Sequence, residues 1–369
     1  MSSHEKPKRP PSRAVIAPIE LSTTFTRDAD GTYPGGYFYT RHGNPNREQL
    51  EDALCTLEGG ATAIAFASGT AASMAAFLSQ SSGDHVLLPQ ECYHGTQELM
   101  RQIFPRWGLS FDFIDMTNIE TVQAAVRSNT SLIWVETPSN PCLRLSDLAA
   151  LSTIAKQAKA TLLCDNTFAT PLNQNPLKFG CDLVLHSTTK YLNGHSDVLG
   201  GVLVAREQGA LSERLRSIQI CGGAVPSPFD CWLTMRGMAT MTLRVQTQCA
   251  SAEEIAKFLD SHRQIERVHY PSLTSHPQYL LGKTQMRSGG GLLSFEVKGG
   301  ESTALAFIAA VRNLHRATSL GGVETLIEHR ASMEGPNTRT PRNLVRLAVG
   351  IEPIAELIAD LDQALASLD

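Results

Sequence analysis

The 369-residue chain lacks several patterns that would assign it to a common class of protein. Its eight cysteines form no Cys-x-x-Cys pair and no group with zinc-ligand spacing, so we interpret them as buried thiols in a reducing compartment and predict no metal site. Basic residues are not in excess, because 32 Lys and Arg stand against 36 Asp and Glu. A dedicated nucleic-acid-binding protein is therefore not expected.

Long apolar segments are also missing. The uncharged stretch 61–83 consists mostly of Ala, Ser, Gly and Thr, and it has too few large apolar residues for a membrane-spanning helix. The polar, proline-rich start of the chain lacks the apolar region of a signal peptide. We therefore expect a soluble cytoplasmic protein that contacts neither membranes nor nucleic acids. The 42% apolar content is enough for sizeable cores.

Short apolar runs alternate with helical patterns from about residue 47 onward. This alternation predicts an α/β fold in which a mostly parallel sheet is flanked by helices. The helix predicted over 146–159 begins with Ser146 as its N-cap residue. The apolar runs predict strands at 63–67, 86–88, 111–114, 132–136, 161–165, 183–186 and 201–205.

Three units follow from changes in this pattern. Residues 1–45 contain five prolines by position 34 and little periodicity, which indicates an extended N-terminal arm. Residues 46–246 form the predicted cofactor-binding domain. The pattern changes after about residue 225, where 235–259 predicts one long helix or two joined ones. Residues 247–369 are predicted to form a smaller α+β C-terminal domain.

The segment from His186 to Gly201 reads His-Ser-Thr-Thr-Lys-Tyr-Leu-Asn-Gly-His-Ser-Asp-Val-Leu-Gly-Gly. It places Lys190 just past the end of an apolar strand, where ligands bind in open α/β sheets. A lysine in that position can form a Schiff base, and neighbouring hydroxyls can bind phosphate. An ordinary surface lysine is the alternative interpretation.

Asp165 ends another buried apolar run. A buried carboxylate requires a cationic partner, because burial of an unpaired charge is costly. Lys190 follows 25 positions later, at the end of the neighbouring βα unit. An Asp against a protonated pyridine nitrogen and a Lys on the aldehyde are what a pyridoxal phosphate site needs. The alternative is that Asp165 only caps the next turn.

Four further features could contribute to a site. Gly69 and Thr70 open a helix after a strand, where backbone N–H groups bind anions, although the segment matches neither a P-loop nor the Rossmann fingerprint. Tyr93 could stack on a flat cofactor or pack in the core. Asn140, between prolines, is either a rigidly placed ligand group or part of a plain turn. Arg41, close to Tyr39, could clamp a phosphate or remain a solvated loop residue.

Together these motifs resemble the cystathionine γ-synthase/γ-lyase family, the fold type I pyridoxal phosphate enzymes of Cys and Met metabolism. The resemblance extends from about Ile16 to about Glu352, and it is most specific from His186 to Asp197. It implies an aspartate-aminotransferase-like large domain, pyridoxal 5′-phosphate as cofactor, amino-acid substrates and a homotetramer built as a dimer of catalytic dimers.

The resemblance also implies a role for each candidate residue. Lys190 forms the Schiff base, Asp165 pairs with the pyridine nitrogen, and Tyr93 stacks on the ring and acts as an acid or base. The implied phosphate ligands are Gly69, Thr70, Ser187 and Thr189, together with Tyr39 and Arg41, which reach the phosphate of a neighbouring subunit. Asn140 lies near the phenolic oxygen of the cofactor. The implied substrate-binding residues are Asn140, Ser319, Glu324 and Arg346.

The expected reaction is a γ-replacement that joins an O-acylated homoserine with cysteine to give cystathionine. The alternatives are a cystathionine or methionine γ-lyase, which releases a 2-oxo acid and ammonia, an O-acetylhomoserine sulfhydrylase, and a catalytically silent paralogue. Leu320 and Val323 are aliphatic where β-lyases of the family tend to carry an aromatic residue, which favours γ-chemistry. The segment 334–343 is shorter than the corresponding family loop, so the choice of substrate stays open.

Overall fold

The computed structural model describes residues 14–334 and 338–368. Within these ranges the chain forms two sheets, one of seven strands and one of five, each covered by helices. The larger sheet lies in the first two thirds of the chain and has the order β1-β7-β6-β5-β4-β2-β3. Its strands are β1 (Thr62–Phe66), β2 (His85–Pro89), β3 (Ser110–Ile114), β4 (Thr130–Glu136), β5 (Thr161–Asp165), β6 (Leu183–Ser187) and β7 (Gly201–Ala205).

The larger sheet is mostly parallel, as the alternating pattern predicts. Strands β2 to β6 pair in parallel, whereas β7 runs antiparallel to both β1 and β6. The carboxyl ends of β1, β4, β5 and β6 therefore meet at one edge. This edge carries the polar residues that follow the buried strands.

Helices cover both faces of the larger sheet. They are α1 (Pro45–Glu58), α2 (Gly69–Leu78), α3 (His94–Glu98), α4 (Ile119–Ala125), α5 (Leu148–Ala158), α6 (Thr170–Asn173), α7 (Ala210–Gly222) and α8 (Pro228–Met238). Phe77 of α2 packs with Leu163 and Leu185 on one face. Leu54 of α1 packs with Val184 on the other face. Strand residues of alternating direction thus bury both faces, as expected for a sheet between helices.

One predicted helix start was wrong. The N-cap of α5 is Asp147, whose side chain accepts a hydrogen bond from the N–H of Ala150 at 2.9 Å. Ser146 precedes the cap, and its N–H donates instead to Thr137 Oγ1 at 3.1 Å. Two adjacent residues that both favour the cap position make the exact start hard to choose from sequence.

The smaller sheet has the order β10-β11-β12-β9-β8. Its strands are β8 (Ile265–His269), β9 (Leu292–Val297), β10 (His315–Arg316), β11 (Leu326–His329) and β12 (Leu344–Ala348). The accompanying helices are α9 (Met241–Asp260), α10 (Tyr279–Gln285), α11 (Glu301–Ala310), α12 (Arg330–Glu334) and α13 (Ile354–Ala366). The region 235–259 thus belongs to two helices, α8 and α9. The predicted domain boundary at 246/247 lies within α9. No further observation divides the chain there, so the boundary stays a prediction.

The described part of the predicted arm, residues 14–44, contains no helix or extended strand pairing beyond a single bridge between Thr24 and Tyr39. Trp232 Nε1 donates to the Ala17 carbonyl at 2.9 Å, and Asn46 Nδ2 donates to that of Pro18 at 2.8 Å. Residues 1–13 of the arm lie outside the described ranges. The division of the chain into arm and domains stays a prediction.

All eight cysteines lie in the described ranges and are free thiols. Cys55 is half-buried and Cys221, near the end of α7, is exposed, whereas the others are buried. The interpretation of every cysteine as a buried thiol was therefore wrong for Cys221. Among the described helices, none combines the length and apolar character needed to span a bilayer.

Candidate active site

A cavity of about 250 Å³ opens at the edge of the larger sheet where β1, β4, β5 and β6 end. It lies where ligands of open α/β sheets bind. Among the predicted site residues, the structure brings together around it Gly69, Thr70, Tyr93, Asn140, Asp165, Ser187, Thr189, Lys190, Ser319 and Arg346.

Lys190 projects into this cavity from the turn after β6. Its Nζ donates a hydrogen bond to Ser319 Oγ at 2.8 Å. Burial, followed by the nearby charge of Arg346, lowers the pKa of Lys190 to about 8. A larger fraction of the amine is therefore unprotonated near neutral pH than for a surface lysine, and only the free amine attacks a carbonyl.

Asp165 ends β5 on the other side of the cavity. One of its oxygens accepts the N–H of Thr167 at 3.0 Å, and burial raises the pKa of this carboxyl. In residues 14–334 and 338–368 no cationic side chain forms an ion pair with Asp165. The partner that the sequence requires is therefore not supplied by a described side chain. A ligand with a positively charged nitrogen would meet the requirement.

Glu136 strengthens the negative character of this wall. It is paired with Asp165 across β4 and β5, and burial together with the charge of Asp165 raises the pKa of Glu136 well above its usual value. Two adjacent carboxylates in a dry site resist simultaneous ionisation. A cationic ligand relieves this repulsion.

The start of α2 forms a small cradle on the wall next to β6. Ser68 caps the helix by accepting the N–H of Ala71 at 3.0 Å, which leaves the N–H groups of Gly69 and Thr70 for an anion. A Cβ at Gly69 would lie 3.0 Å from the Cβ of Ser187, so the two segments meet only because position 69 has no side chain. Thr189 Oγ1 accepts the N–H of Gly200 at 3.0 Å beside them.

Tyr93 lies at the cavity mouth as the residue before α3. Its side chain is 49% exposed, which contradicts the alternative that it packs in the core. Its N–H donates to Glu136 Oε2 at 2.8 Å, so the strand-end carboxylate fixes the backbone from which the ring projects. The ring is free to cover a flat ligand in the cavity.

These walls fit pyridoxal phosphate. The Lys190 amine suits the aldehyde, the uncompensated Asp165 carboxylate suits a protonated pyridine nitrogen, and the glycine cradle with its helix N-terminus suits the phosphate. The alternatives of a plain surface lysine and a simple turn-capping Asp do not explain a lysine with a depressed pKa opposite an unpaired buried carboxylate.

Arg346 of β12 reaches the cavity from the smaller sheet. It is 3% exposed, and it donates from Nη1 to Asn140 Oδ1 at 3.0 Å and from Nη2 to the Ser319 carbonyl at 3.3 Å. It also forms an ion pair with Glu328. Burial lowers the pKa of Arg346 to about 10, so the guanidinium remains charged at neutral pH. A buried cation with a planar donor set suits a carboxylate of the substrate.

Three predicted site residues lie elsewhere in this chain. Arg41 Nη1 donates to the carbonyl of Ile220 in α7 at 2.9 Å, and its guanidinium carbon lies 5.5 Å from the centre of the Tyr39 ring. Glu324 accepts a hydrogen bond from Ser196 Oγ. The described lining of the cavity contains none of Tyr39, Arg41 and Glu324, and their roles stay predictions.

Several residues of the cavity wall were not predicted from the sequence. Thr167 joins the two key strand ends, because its N–H donates to Asp165 and its Oγ1 accepts the N–H of Ser187 at 2.9 Å. Glu136 carried the same signal as Asp165, a carboxylate at the end of an apolar run. Arg330, from α12, also lines the cavity, and no local pattern marks it.

Comparison with known proteins agrees with this geometry. The family model for Cys/Met metabolism PLP-dependent enzymes matches residues 2–366. The cystathionine gamma-synthase of Mycobacterium bovis is 45% identical over 362 residues, covering 96% of this chain and 93% of that protein. The cystathionine gamma-lyase of Dictyostelium discoideum is 41% identical over 360 residues, covering 95% and 93%.

A solved structure is similar throughout. The crystal structure of metB from Corynebacterium glutamicum superposes with a TM-score of 0.95 at 42% identity, covering 99% of this chain and 96% of that one. The family model and the relatives both span nearly the whole chain, and the cavity offers a partner for each end of the cofactor. The chain therefore belongs to the family of Cys/Met metabolism PLP-dependent enzymes.

Proposed function

We propose that this enzyme catalyses the γ-replacement of an O-acylated homoserine by cysteine, which yields cystathionine. The observation that carries the proposal is the Lys190 amine, 2.8 Å from Ser319 Oγ, in one cavity with the uncompensated Asp165 carboxylate. The 45% identity to a cystathionine gamma-synthase over almost the full chain supports the choice within the family.

Bound pyridoxal phosphate supplies the electron sink that γ-chemistry requires. The Asp165 carboxylate holds the protonated ring nitrogen, and a charge partner in a dry site acts more strongly than one in water. The N–H groups of Gly69 and Thr70, together with the Ser187 and Thr189 hydroxyls, hold the phosphate. Tyr93 covers the ring at the mouth of the cavity.

Lys190 moves the protons of the reaction. Its Nζ, with a pKa of about 8, would accept the Cα proton of the bound amino acid and, once it has given that proton up, the Cβ proton that must leave before the γ-substituent departs. The Tyr93 hydroxyl, at the cavity mouth, would give a proton to the departing group or take one from the incoming thiol. Ser319 Oγ orients the Lys190 amine between these positions.

Arg346 fixes the substrate. Its guanidinium, together with the Asn140 side chain and the backbone at Ser319, binds the α-carboxylate, so that Cα faces Lys190. Leu320, an aliphatic residue, also lines the cavity, at a place where β-lyases of the family tend to carry an aromatic residue. The aliphatic wall favours γ-chemistry over β-elimination.

A γ-lyase is the second candidate. It would use the same Lys190, Asp165 and Arg346, and it would differ in the outcome, because no thiol would add to the substrate and hydrolysis would give a 2-oxo acid and ammonia. The 41% identity to the Dictyostelium discoideum gamma-lyase supports it. An O-acetylhomoserine sulfhydrylase is the third, with sulfide as the incoming nucleophile.

Product analysis separates the candidates. The purified holoenzyme is incubated with O-succinyl- or O-acetylhomoserine plus cysteine, with O-acetylhomoserine plus sulfide, and with cystathionine alone, and products are identified by mass spectrometry. Cystathionine formation in the first mixture is expected. Rapid release of a 2-oxo acid and ammonia from cystathionine, without synthesis, would assign the lyase. The Lys190→Ala variant is the blank for every mixture.

We also propose that the enzyme works in the cytoplasm as a homotetramer. The exposed position of Tyr39 and the family resemblance support a catalytic dimer whose subunits share Tyr39 and Arg41. Light scattering coupled to gel filtration gives the mass directly. A monomer that retains full activity would contradict the proposal.

A further inference from the structure

A carboxylate–imidazole pair is buried on the α1 face of the larger sheet. His186 Nε2 lies 2.5 Å from Glu58 Oε1, and both side chains are at most 1% exposed. Glu58 is the last residue of α1, and His186 belongs to β6. The second oxygen of Glu58 has no hydrogen-bond partner among the described residues. The mechanism above uses neither residue.

The pair lies directly behind the cofactor wall. Asp165 is in register with Leu185, the residue before His186. Because side chains alternate along a strand, Leu185 lines the cavity and His186 points to the α1 face, where Glu58 meets it. Burial raises the pKa of Asp165, whereas hydrogen bonds from Thr167 and, to a smaller extent, the charge of His186 lower it.

Glu58 also holds the residue after Asp165. Asn166 Nδ2 donates to Glu58 Oε1 at 3.1 Å, and the N–H of Asn166 donates to the Leu185 carbonyl at 2.9 Å. The Asn166 side chain accepts a further bond from Gln174 Nε2 at 2.9 Å. The Glu58 carboxylate thus contacts both strand ends. It binds Asn166, which follows Asp165 at the end of β5, and His186 in β6, which leads to Lys190.

Stability alone does not account for this arrangement. Desolvation of a buried ion pair offsets most of its attraction, and apolar residues of similar volume stabilise a fold equally well or better. Here the pair even leaves one carboxylate oxygen without a hydrogen bond, which adds to the cost. A role of the Glu58–His186 pair in the neighbouring cofactor cavity would explain why this free-energy cost is tolerated.

We propose that Glu58 and His186 are positioning residues for the cofactor. They hold the ends of β5 and β6 together, and a positive charge on the His186 imidazole favours the ionised form of Asp165 that binds the pyridine nitrogen. The charged groups that face Asp165 are then His186 from β6 and Glu136 from β4. This inference rests on the cofactor assignment and not on which γ-reaction the enzyme performs.

The test uses Glu58→Gln, which keeps a hydrogen-bond acceptor without the charge, and His186→Gln, which cannot carry a positive charge. The matched control is Glu296→Gln, because Glu296 forms a similar pair with His269 at 2.8 Å in the smaller sheet. Each apo-protein is titrated with pyridoxal phosphate, and the ring-nitrogen shift of ¹⁵N-labelled bound cofactor is recorded at pH 7.5. Neither readout depends on substrate.

We expect both Glu58→Gln and His186→Gln to weaken cofactor affinity about tenfold, as for loss of one charge-assisted contact, and to move the ¹⁵N shift toward that of a neutral pyridine. Glu296→Gln should match the wild type in both measurements. The proposal is overturned if Glu58→Gln or His186→Gln folds and shows the wild-type shift and affinity, or if Glu296→Gln loses affinity equally. Failure of the γ-replacement assay would leave these readouts unchanged.

Discussion

The Lys190 amine lies 2.8 Å from the Ser319 hydroxyl although 129 positions separate the two residues. Lys190 follows a strand of the larger sheet, whereas Ser319 lies in the loop between β10 and β11 of the smaller one. The Lys190 amine therefore makes this hydrogen bond only when both sheets are packed together. Ser319 has a φ of 96°, a left-handed conformation that non-glycine residues rarely adopt.

Ser319 should respond differently to two small substitutions. Ser319→Ala loses the hydroxyl and keeps the strained backbone, whereas Ser319→Gly loses the hydroxyl and relieves a strain of about 1–3 kcal/mol. We expect the apo-protein of Ser319→Gly to have a higher melting temperature than that of Ser319→Ala. Turnover should be reduced in both variants. Equal melting temperatures for the two variants would show that the backbone at 319 carries no strain.

The depressed pKa of Lys190 predicts the pH dependence of cofactor loading. Because the free amine reacts, the rate of pyridoxal phosphate incorporation into apo-enzyme should rise about tenfold per pH unit below pH 8 and level off above pH 9. An unperturbed lysine would keep accelerating beyond pH 10. Stopped-flow absorbance measures the rate.

Lys190→Ala is the control for this series. It should show no borohydride-trappable adduct at any pH and essentially no turnover. A variant that keeps both the trapped adduct and the activity would assign the Schiff-base role to another lysine.

Asp165→Asn should separate catalysis from stability. An amide cannot stabilise a protonated ring nitrogen as a carboxylate does, so turnover should fall by orders of magnitude. The apo-protein should be as stable as the wild type or more so, since the buried charge is uncompensated. Turnover and apo melting temperature are measured together.

Asp182→Asn provides the opposite pattern. Asp182 pairs with Arg206 at 2.5 Å and also accepts the N–H of Leu162 at 2.9 Å, outside the cavity lining. Its loss should lower the melting temperature and leave turnover near normal. If Asp165→Asn behaves like Asp182→Asn, Asp165 serves only the fold.

Arg41 tests whether the active site is shared between subunits. Arg41→Ala should weaken cofactor affinity by about 1.5–3 kcal/mol if one charge-assisted contact with phosphate is lost. Mixing inactive Arg41→Ala with inactive Lys190→Ala should restore part of the activity, because a heterodimer then contains one site with both native residues. Mixed oligomers that form and stay inactive would show that Arg41 does not act across the interface.

Most of the larger sheet could be predicted from sequence because its strands are buried on both faces. Runs such as 161–165 and 183–186 have apolar centres and end in polar residues. The sequence therefore predicts each strand, the position of its end and the edge of the sheet where the site lies. The same logic identified Lys190 and Asp165. The short strand β10 carries no such signal, because both of its residues are exposed.

Contacts between distant segments could not be predicted in this way. Nothing near Glu58 indicates His186, which lies 128 positions away, and nothing near Arg330 indicates the cavity. Ser146 and Asp147 are both favourable N-cap residues, so the start of α5 could not be chosen between them from the sequence. The segment 334–343, expected to influence the choice of substrate, includes residues 335–337, which lie outside the described ranges.

The adjacent carboxylates of Glu136 and Asp165 make cofactor binding a proton-linked reaction. Burial raises the pKa of both carboxyls, so this wall takes up protons at a higher pH than ordinary carboxyls do. A bound cationic ring stabilises the ionised Asp165 and expels its proton. The calorimetric heat of binding should therefore change with the ionisation enthalpy of the buffer, and the slope gives the number of protons released. An enzyme of this design loads its cofactor less readily as the medium becomes acidic.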